Sequence, residues 1–131
     1  MAISDSRYVS ITTTKRDGTG VATPVWIAPL PGGRAGFTTA SDAGKVKRIR
    51  NRPDVVLRPC DARGRVPDGA RAVHATAAVV VDGPEYDQVH TALGRKYGLQ
   101  FTLVDLGGRL RRRLPRAAAP LCGVVLTFAE V

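Results

Sequence analysis

Residues 38–53 read TTASDAGKVKRIRNRP, and their layout sets the frame for the rest of the chain. Two β-branched threonines end a strand, a short loop follows, and a basic two-turn helix runs until Pro53 stops it. Ser41 and Asp42 are natural N-caps for that helix, because their side-chain oxygens can accept from its first free N–H groups. Gly44 lets the backbone come close to a ligand, while Val46 and Ile49, three apart, give the helix one inward face. The other faces carry Lys45, Lys47, Arg48, Arg50 and Arg52, with no acidic residue among them. A basic run like this often marks nothing more than a solvated face. Its placement argues for more. A helix start presents unpaired N–H groups and a partial positive charge, and here the hydroxyls of Thr38 and Thr39 are delivered to the same spot. Hydroxyl, backbone and cationic donors converge there, which predicts a site for a phosphate or carboxylate.

Working outward, residues 8–14 (YVSITTT) set Val9 and Ile11 against Ser10 and Thr12, the alternation of a strand with one buried face. Asp17-Gly18 then signals a hairpin. Residues 21–30 (VATPVWIAPL) read as the second strand, in which Pro24 removes a ladder donor, places an interruption or an edge there and leaves backbone groups free to meet a ligand. A turn at Pro31-Gly32-Gly33 brings residues 34–39 back as the third strand, which delivers the chain to the basic helix. Beyond Pro53, residues 54–60 (DVVLRPC) are the fourth strand and residues 61–69 an exposed connection. The run from Arg71, RAVHATAAVVVDG, is the fifth strand, with valines and alanines inward. Pro84 at a first helical position, with Glu85 and Asp87 in the first turn, opens a helix through Arg95 or Tyr97 that Gly98 ends. Residues 99–113 are irregular, since Gly107-Gly108 weakens a helix there, and residues 121–131 (LCGVVLTFAEV) close the chain as a sixth strand. Short hairpins with helices after the third and fifth strands predict a mainly β fold, an antiparallel barrel or sandwich with added helices, in a single domain of 131 residues.

Twenty Lys+Arg against eleven Asp+Glu give a formal charge of +9, which favours an anionic partner. Nucleic acid is a poor candidate, because none of the seven aromatic residues alternates with the basic runs to form a stacking surface. Cys60, Cys122, His74 and His90 are too few and too scattered for a metal site, and each cysteine reads as a small apolar residue in a strand. There is no signal-peptide layout and no apolar run of membrane-spanning length, so a cytoplasmic protein without a membrane partner is the expectation. Residues 109–116 hold five more arginines, which read as a solvated helix end before a contact for a partner's acidic surface.

The series DGTGVATPVW, FTTASDAGKVKRIRNRPDVVLRPCDARGR and ALGRKYGLQF, taken in that order, resembles the small split β-barrel flavin and deazaflavin oxidoreductases of the pyridoxamine-phosphate-oxidase-like superfamily. It is most similar to the branch of coenzyme F420-dependent enzymes. The resemblance implies a six-stranded antiparallel split β-barrel of the FMN-binding type, paired as a homodimer with a deazaflavin in each groove between subunits. By motif, Lys45, Lys47 and Arg48 would meet the cofactor's phosphate and acidic tail, with Thr38 and Thr39 lining that site. Thr23, Pro24, Val25 and Trp26 would run beside the ring system, with Arg58 and Cys60 on the adjacent strand. The implied activity is hydride transfer between coenzyme F420 and an electrophilic or unsaturated small molecule. The alternatives are an FMN-dependent oxidoreductase of the same fold and a cofactor carrier with no substrate of its own. Tyr8, His74 and Tyr97 are possible proton donors, but His74 better fits a packed or surface histidine and the tyrosines better fit core residues with a wet hydroxyl, and no catalytic residue is assigned. The N-terminal helix that often precedes the first strand in this family is short or absent here.

Overall fold

The computed structural model describes residues 3–98 and 120–128. Among these residues, seven strands form one antiparallel sheet: β1 (Tyr8–Thr14), β2 (Gly20–Val25), β3 (Ala28–Pro29), β4 (Ala35–Ala40), β5 (Asp54–Cys60), β6 (Val73–Val80) and β7 (Leu121–Phe128). Helix α1 (Gly44–Asn51) joins β4 to β5, and α2 (Pro84–Tyr97) follows β6. A short 3₁₀ turn, Ile3–Asp5, precedes β1. Across the sheet the order is β2-β1-β5-β6-β7-β4-β3. β2 and β3 therefore lie at opposite edges, although only Trp26 and Ile27 separate them along the chain. The sheet must roll until its edges nearly meet, and the barrel stays open along that seam. The second basic run, residues 109–116, lies outside the described residues, as do the last three residues of the expected closing strand.

Alternation along the strands fills the barrel. Val9, Ile11, Phe37, Leu57, Val124 and Leu126 are fully buried and point inward, and Ile49 from α1 reaches the same core. The register agrees: Ile11 stands opposite Leu57 on β5 and Thr23 on β2. A second, smaller core lies outside the sheet, where Val89, Leu93 and Tyr97 recur every fourth residue on one stripe of α2 and pack on Ala28, Leu30 and Val125. Gly36 makes that contact possible, since a methyl there would sit 2.8 Å from Val89 Cγ2 and 3.2 Å from the Val124 carbonyl. The ends of α2 follow the expected signals, with Pro84 in the first turn and Gly98 just past the end at φ +58°. The β1–β2 hairpin also turns where Asp17-Gly18 predicts. The Asp17 carboxylate accepts from Thr19 N at 2.9 Å, Gly18 takes φ +91°, and the Thr19 bond holds the carboxyl below its ordinary pKa.

Two expectations are corrected. The single strand predicted over residues 21–30 is two strands, so the sheet has seven rather than six, and the break falls at Trp26–Ile27; of the interruption or edge read at Pro24, it is the edge that the sheet shows. Pro24 stays in β2, opposite Ser10, because β2 is an edge strand and can spare a donor. Ile27 leaves the ladder because α2 supplies other partners. Its N–H donates to Tyr97 Oη at 3.1 Å, and its carbonyl accepts from Lys96 Nζ at 2.6 Å. The second correction concerns α1, whose N-cap position is Ala43 and which has no side-chain cap. Ser41 and Asp42 lie in the turn that leads out of β4: Ser41 N bonds the Pro120 carbonyl, and Ala43 N bonds the Ala40 carbonyl.

Lys96 and Tyr97 complete the fold at this kink. The Lys96 ammonium also donates to the carbonyls of Ser4 and Ser6, at 2.6 and 2.5 Å. The Tyr97 hydroxyl donates to the Arg7 carbonyl at 2.7 Å, the shorter of its two carbonyl contacts; the other is Ile27 O at 3.0 Å. Burial pushes the Tyr97 phenol up to about 12. Because the folded value is raised above the ordinary one near 10, the stabilisation is complete below pH 10 and is lost as pH rises through 12. Alkaline unfolding should therefore cost the wild type about 2–3 kcal/mol more over that interval than Tyr97→Phe, measured by denaturant titration at a series of pH values. Gly36→Ala should lower stability at pH 7 by about 1–3 kcal/mol in the same assay, through overpacking against Val89.

Candidate functional site

The place where β2 ends, β1 begins and α1 starts is a cavity of about 330 Å3, lined by Tyr8, Pro24, Val25, Trp26, Thr38, Lys45, Ala62 and Leu93. Each element brings its residue there for a local reason. β1 and β2 are antiparallel, so the start of one lies beside the end of the other, with Val9 opposite Val25. Thr38 lies on the outer face of β4, on the side covered by α2, and three residues of turn carry the chain from β4 to α1, whose first turn holds Lys45. Leu93 comes from the buried stripe of α2. Ala62 follows β5 in a loop that the Asp61 carboxylate organises by accepting from the N–H groups of Arg63 and Arg65, both at 2.9 Å. Gly64, at φ +86°, rests against Pro24.

The lining is apolar and aromatic on the side of Pro24, Val25, Trp26 and Leu93, and polar on the side of Thr38 and Lys45. Burial, with a smaller contribution from the neighbouring Arg48 charge, holds the Lys45 ammonium below the usual lysine pKa. A cation in that position is short of compensation, and an anion placed beside it is stabilised more than at an exposed lysine. The first turn of α1 adds its free N–H groups and contains no acidic residue. The arrangement suits a flat, apolar group joined to a phosphate, and the volume lies within the range of about 300–1,000 Å3 of small-molecule sites.

Five of the eleven residues assigned to the cofactor from sequence line this cavity: Pro24, Val25, Trp26, Thr38 and Lys45. Six do not. Thr23 stands opposite Ile11 on the core side of β2, where its Oγ1 is buried with no hydrogen-bond partner among the described residues. Thr39 alternates away from Thr38 and pairs with Cys122. Lys47 is exposed on the outer side of α1. Arg48 is already engaged, donating from Nε to Thr13 Oγ1 at 2.6 Å and laying its guanidinium along Gly44. Arg58 and Cys60 lie on β5 opposite Ser10 and Tyr8. Burial, followed by the Asp61 charge, raises the Cys60 pKa, so the thiol is protonated at neutral pH and is not a ready nucleophile.

Of the three proton-donor candidates, Tyr8 lines the cavity, His74 is exposed on β6, and the Tyr97 hydroxyl is committed to the backbone. The period-2 alternation of β1 carries the signal for Tyr8, which shares a face with Ser10, the partner of Pro24. Leu93 has no comparable signal, because only tertiary packing brings α2 to this spot. A shallower groove of about 930 Å3 runs along the far side of α2 past Asp5, Pro31, Asp87, Arg95 and Lys96. It contains none of the predicted site residues, and its Lys96 is bound to three carbonyls. Among the described residues no cluster of His, Cys, Asp and Glu could hold a metal, both cysteines are free, and no helix is long and apolar enough to cross a membrane.

Solved structures share this fold. A heme-storage protein from Vibrio cholerae aligns over 98% of this chain and 86% of its own, with a TM-score of 0.68 and 12% identity. An F420 reductase aligns over 98% of this chain and 91% of its own, with a TM-score of 0.57 and 19% identity. An FMN-binding protein related to pyridoxamine 5'-phosphate oxidase, from Nostoc punctiforme, aligns over 93% and 70%, with a TM-score of 0.55 and 10% identity. No curated protein matches at the level of sequence. The pyridoxamine 5'-phosphate oxidase family model matches residues 2–131, which with the rolled seven-stranded sheet makes this chain a member of that family and its fold a split β-barrel.

Proposed function

We propose that the protein is an oxidoreductase that binds coenzyme F420 and transfers hydride between it and an electrophilic or unsaturated small molecule, acting as a homodimer. The observation that carries this reading is the cavity itself, in which aromatic and apolar walls meet a half-buried ammonium and a strand-end hydroxyl. Lys45 and Thr38 would hold the phosphate. Pro24, Val25, Trp26 and Leu93 would exclude water from one side of the ring. Arg48 keeps α1 docked on β1 through Thr13, which fixes Lys45 in place. When bound, the reduced deazaflavin supplies a hydride, and the protein supplies position and electrostatics.

FMN also joins a flat ring to a phosphate, so the same cavity accommodates an FMN-dependent reading. The cations beyond the cavity favour the deazaflavin, whose acidic tail needs partners that FMN does not. Lys47 and Arg50 are exposed on α1, the helix that carries Lys45, and would meet such a tail. Heme has less support, since neither His74 nor His90 lines the cavity. In the proposed dimer a second copy covers the outer face of β1, β2, β5 and β6, which carries short side chains such as Ala22, Thr12, Val56 and Thr76.

Single substitutions separate these roles. Lys45→Ala should weaken both F420 and FMN by about 10- to 100-fold, the loss expected for one charge-assisted contact. Lys47→Ala should weaken F420 more than FMN, and added salt should remove that difference. Equal affinity of Lys45→Ala and the parent for both cofactors would show the reading to be wrong. Sedimentation equilibrium should give twice the chain mass at micromolar concentration, and a monomer would remove the dimer from it.

A further inference from the structure

The Tyr97 hydroxyl sits between two particular peptide groups. The carbonyl to which it donates belongs to the Arg7–Tyr8 peptide, 2.7 Å away, and the N–H that it accepts belongs to the Trp26–Ile27 peptide, 3.1 Å away. Tyr8 and Trp26 are the two aromatic residues that line the cavity. One phenolic oxygen thus spans the backbones that carry both aromatic walls. The ring of Tyr97 adds a second constraint, stacking on the Trp26 indole with centroids 4.8 Å apart and planes 13° from parallel. That stacking covers one face of the indole and leaves its other face or its edge to the cavity. Tyr97 itself does not line the cavity, and its side chain is buried.

We propose that Tyr97 is a positioning residue for ring recognition, setting the separation and tilt of Tyr8 and Trp26 so that they form a slot for a planar heteroaromatic ligand. This rests on the proposed function, since it assumes that the cavity takes a ring joined to a phosphate. It adds a division of labour: Tyr97 governs affinity for the ring, and Lys45 governs affinity for the anion. The phenol's resistance to ionisation keeps the bridge intact throughout the physiological range.

Trp26 is the only tryptophan in the chain, which makes the slot observable without any ligand. In ligand-free Tyr97→Phe, which keeps the ring but removes the bridge, acrylamide should quench Trp26 more readily while far-UV circular dichroism is unchanged. The same variant should bind FMN and F420 about tenfold more weakly, the loss of roughly one buried hydrogen bond, and keep its affinity for inorganic pyrophosphate, which has no ring. Lys45→Ala should show the reverse, losing pyrophosphate. A folded Tyr97→Phe with unchanged quenching and unchanged cofactor affinity overturns the inference and leaves the proposed function standing, as does an equal loss of pyrophosphate and ring ligands. If the wild type binds neither cofactor, the proposed function fails, and ring recognition fails with it. Should Tyr97→Phe not fold, 3,5-difluorotyrosine at position 97 gives the same test. Its ring affinity should fall as pH is raised through its lowered phenol pKa, while the wild type stays constant; parallel profiles overturn the inference.

Discussion

A buried peptide group that leaves a sheet must find partners elsewhere, and at Ile27 this requirement shapes the whole molecule. β2 and β3 occupy opposite edges of the sheet, so the chain has to cross from one to the other within two residues, and Ile27 is buried where it does so. The last turn of α2 supplies what the ladder cannot, with Tyr97 serving the N–H and Lys96 the carbonyl. The same two side chains hold the segment before β1 through Ser4, Ser6 and Arg7. Docking of α2, the roll of the sheet at this kink and placement of Trp26 therefore depend on the same bonds. An unsatisfied group at this position would cost about 1–3 kcal/mol, a large part of the stability of a small domain.

Functional consequences follow from that geometry. Fixing the kink fixes Trp26, and fixing the start of β1 fixes Tyr8, so two sides of the cavity are set by residues that never touch its contents. The opposite, polar side depends on α1. That helix has no acidic residue in its first turn and no side-chain cap, and its docking rests on Val46, Ile49 and the Arg48–Thr13 bond. The start of α1 is therefore unusually positive, and Lys45 is partly withdrawn from water beside it. A ligand that brings negative charge satisfies a demand the fold leaves open.

Much of this was legible in the chain itself, and the limits have physical causes. The 2.0 alternation of β1, the Asp17-Gly18 turn, and the Pro84 start and Gly98 stop of α2 are local signals, and local structure obeys them. Pro24 signals an interruption or an edge, and as the residue of an edge strand it is obeyed as the second. The break at Trp26–Ile27 depends on Tyr97, seventy residues away, and no window around Trp26 contains that information. Similarly, Ser41 and Asp42 have the chemistry of N-caps, but the bond from Ser41 N to the Pro120 carbonyl keeps that residue with the sheet and moves the helix start to Gly44. At the site, the strand ends and Lys45 could be read from the sequence. The engagement of Arg48 with Thr13, the inward turn of Thr23 and the arrival of Leu93 could not, because each is decided by packing across the fold.

The claim that joins fold to function is that this cavity recognises a planar ring attached to an anion. Its most direct test is the emission of Trp26 in the wild-type protein, titrated with coenzyme F420 and separately with FMN at physiological salt. Saturable quenching by at least one of the two is expected, with one site per chain and reversal by excess pyrophosphate. Emission that stays unchanged, or falls linearly without saturation for both, would contradict it.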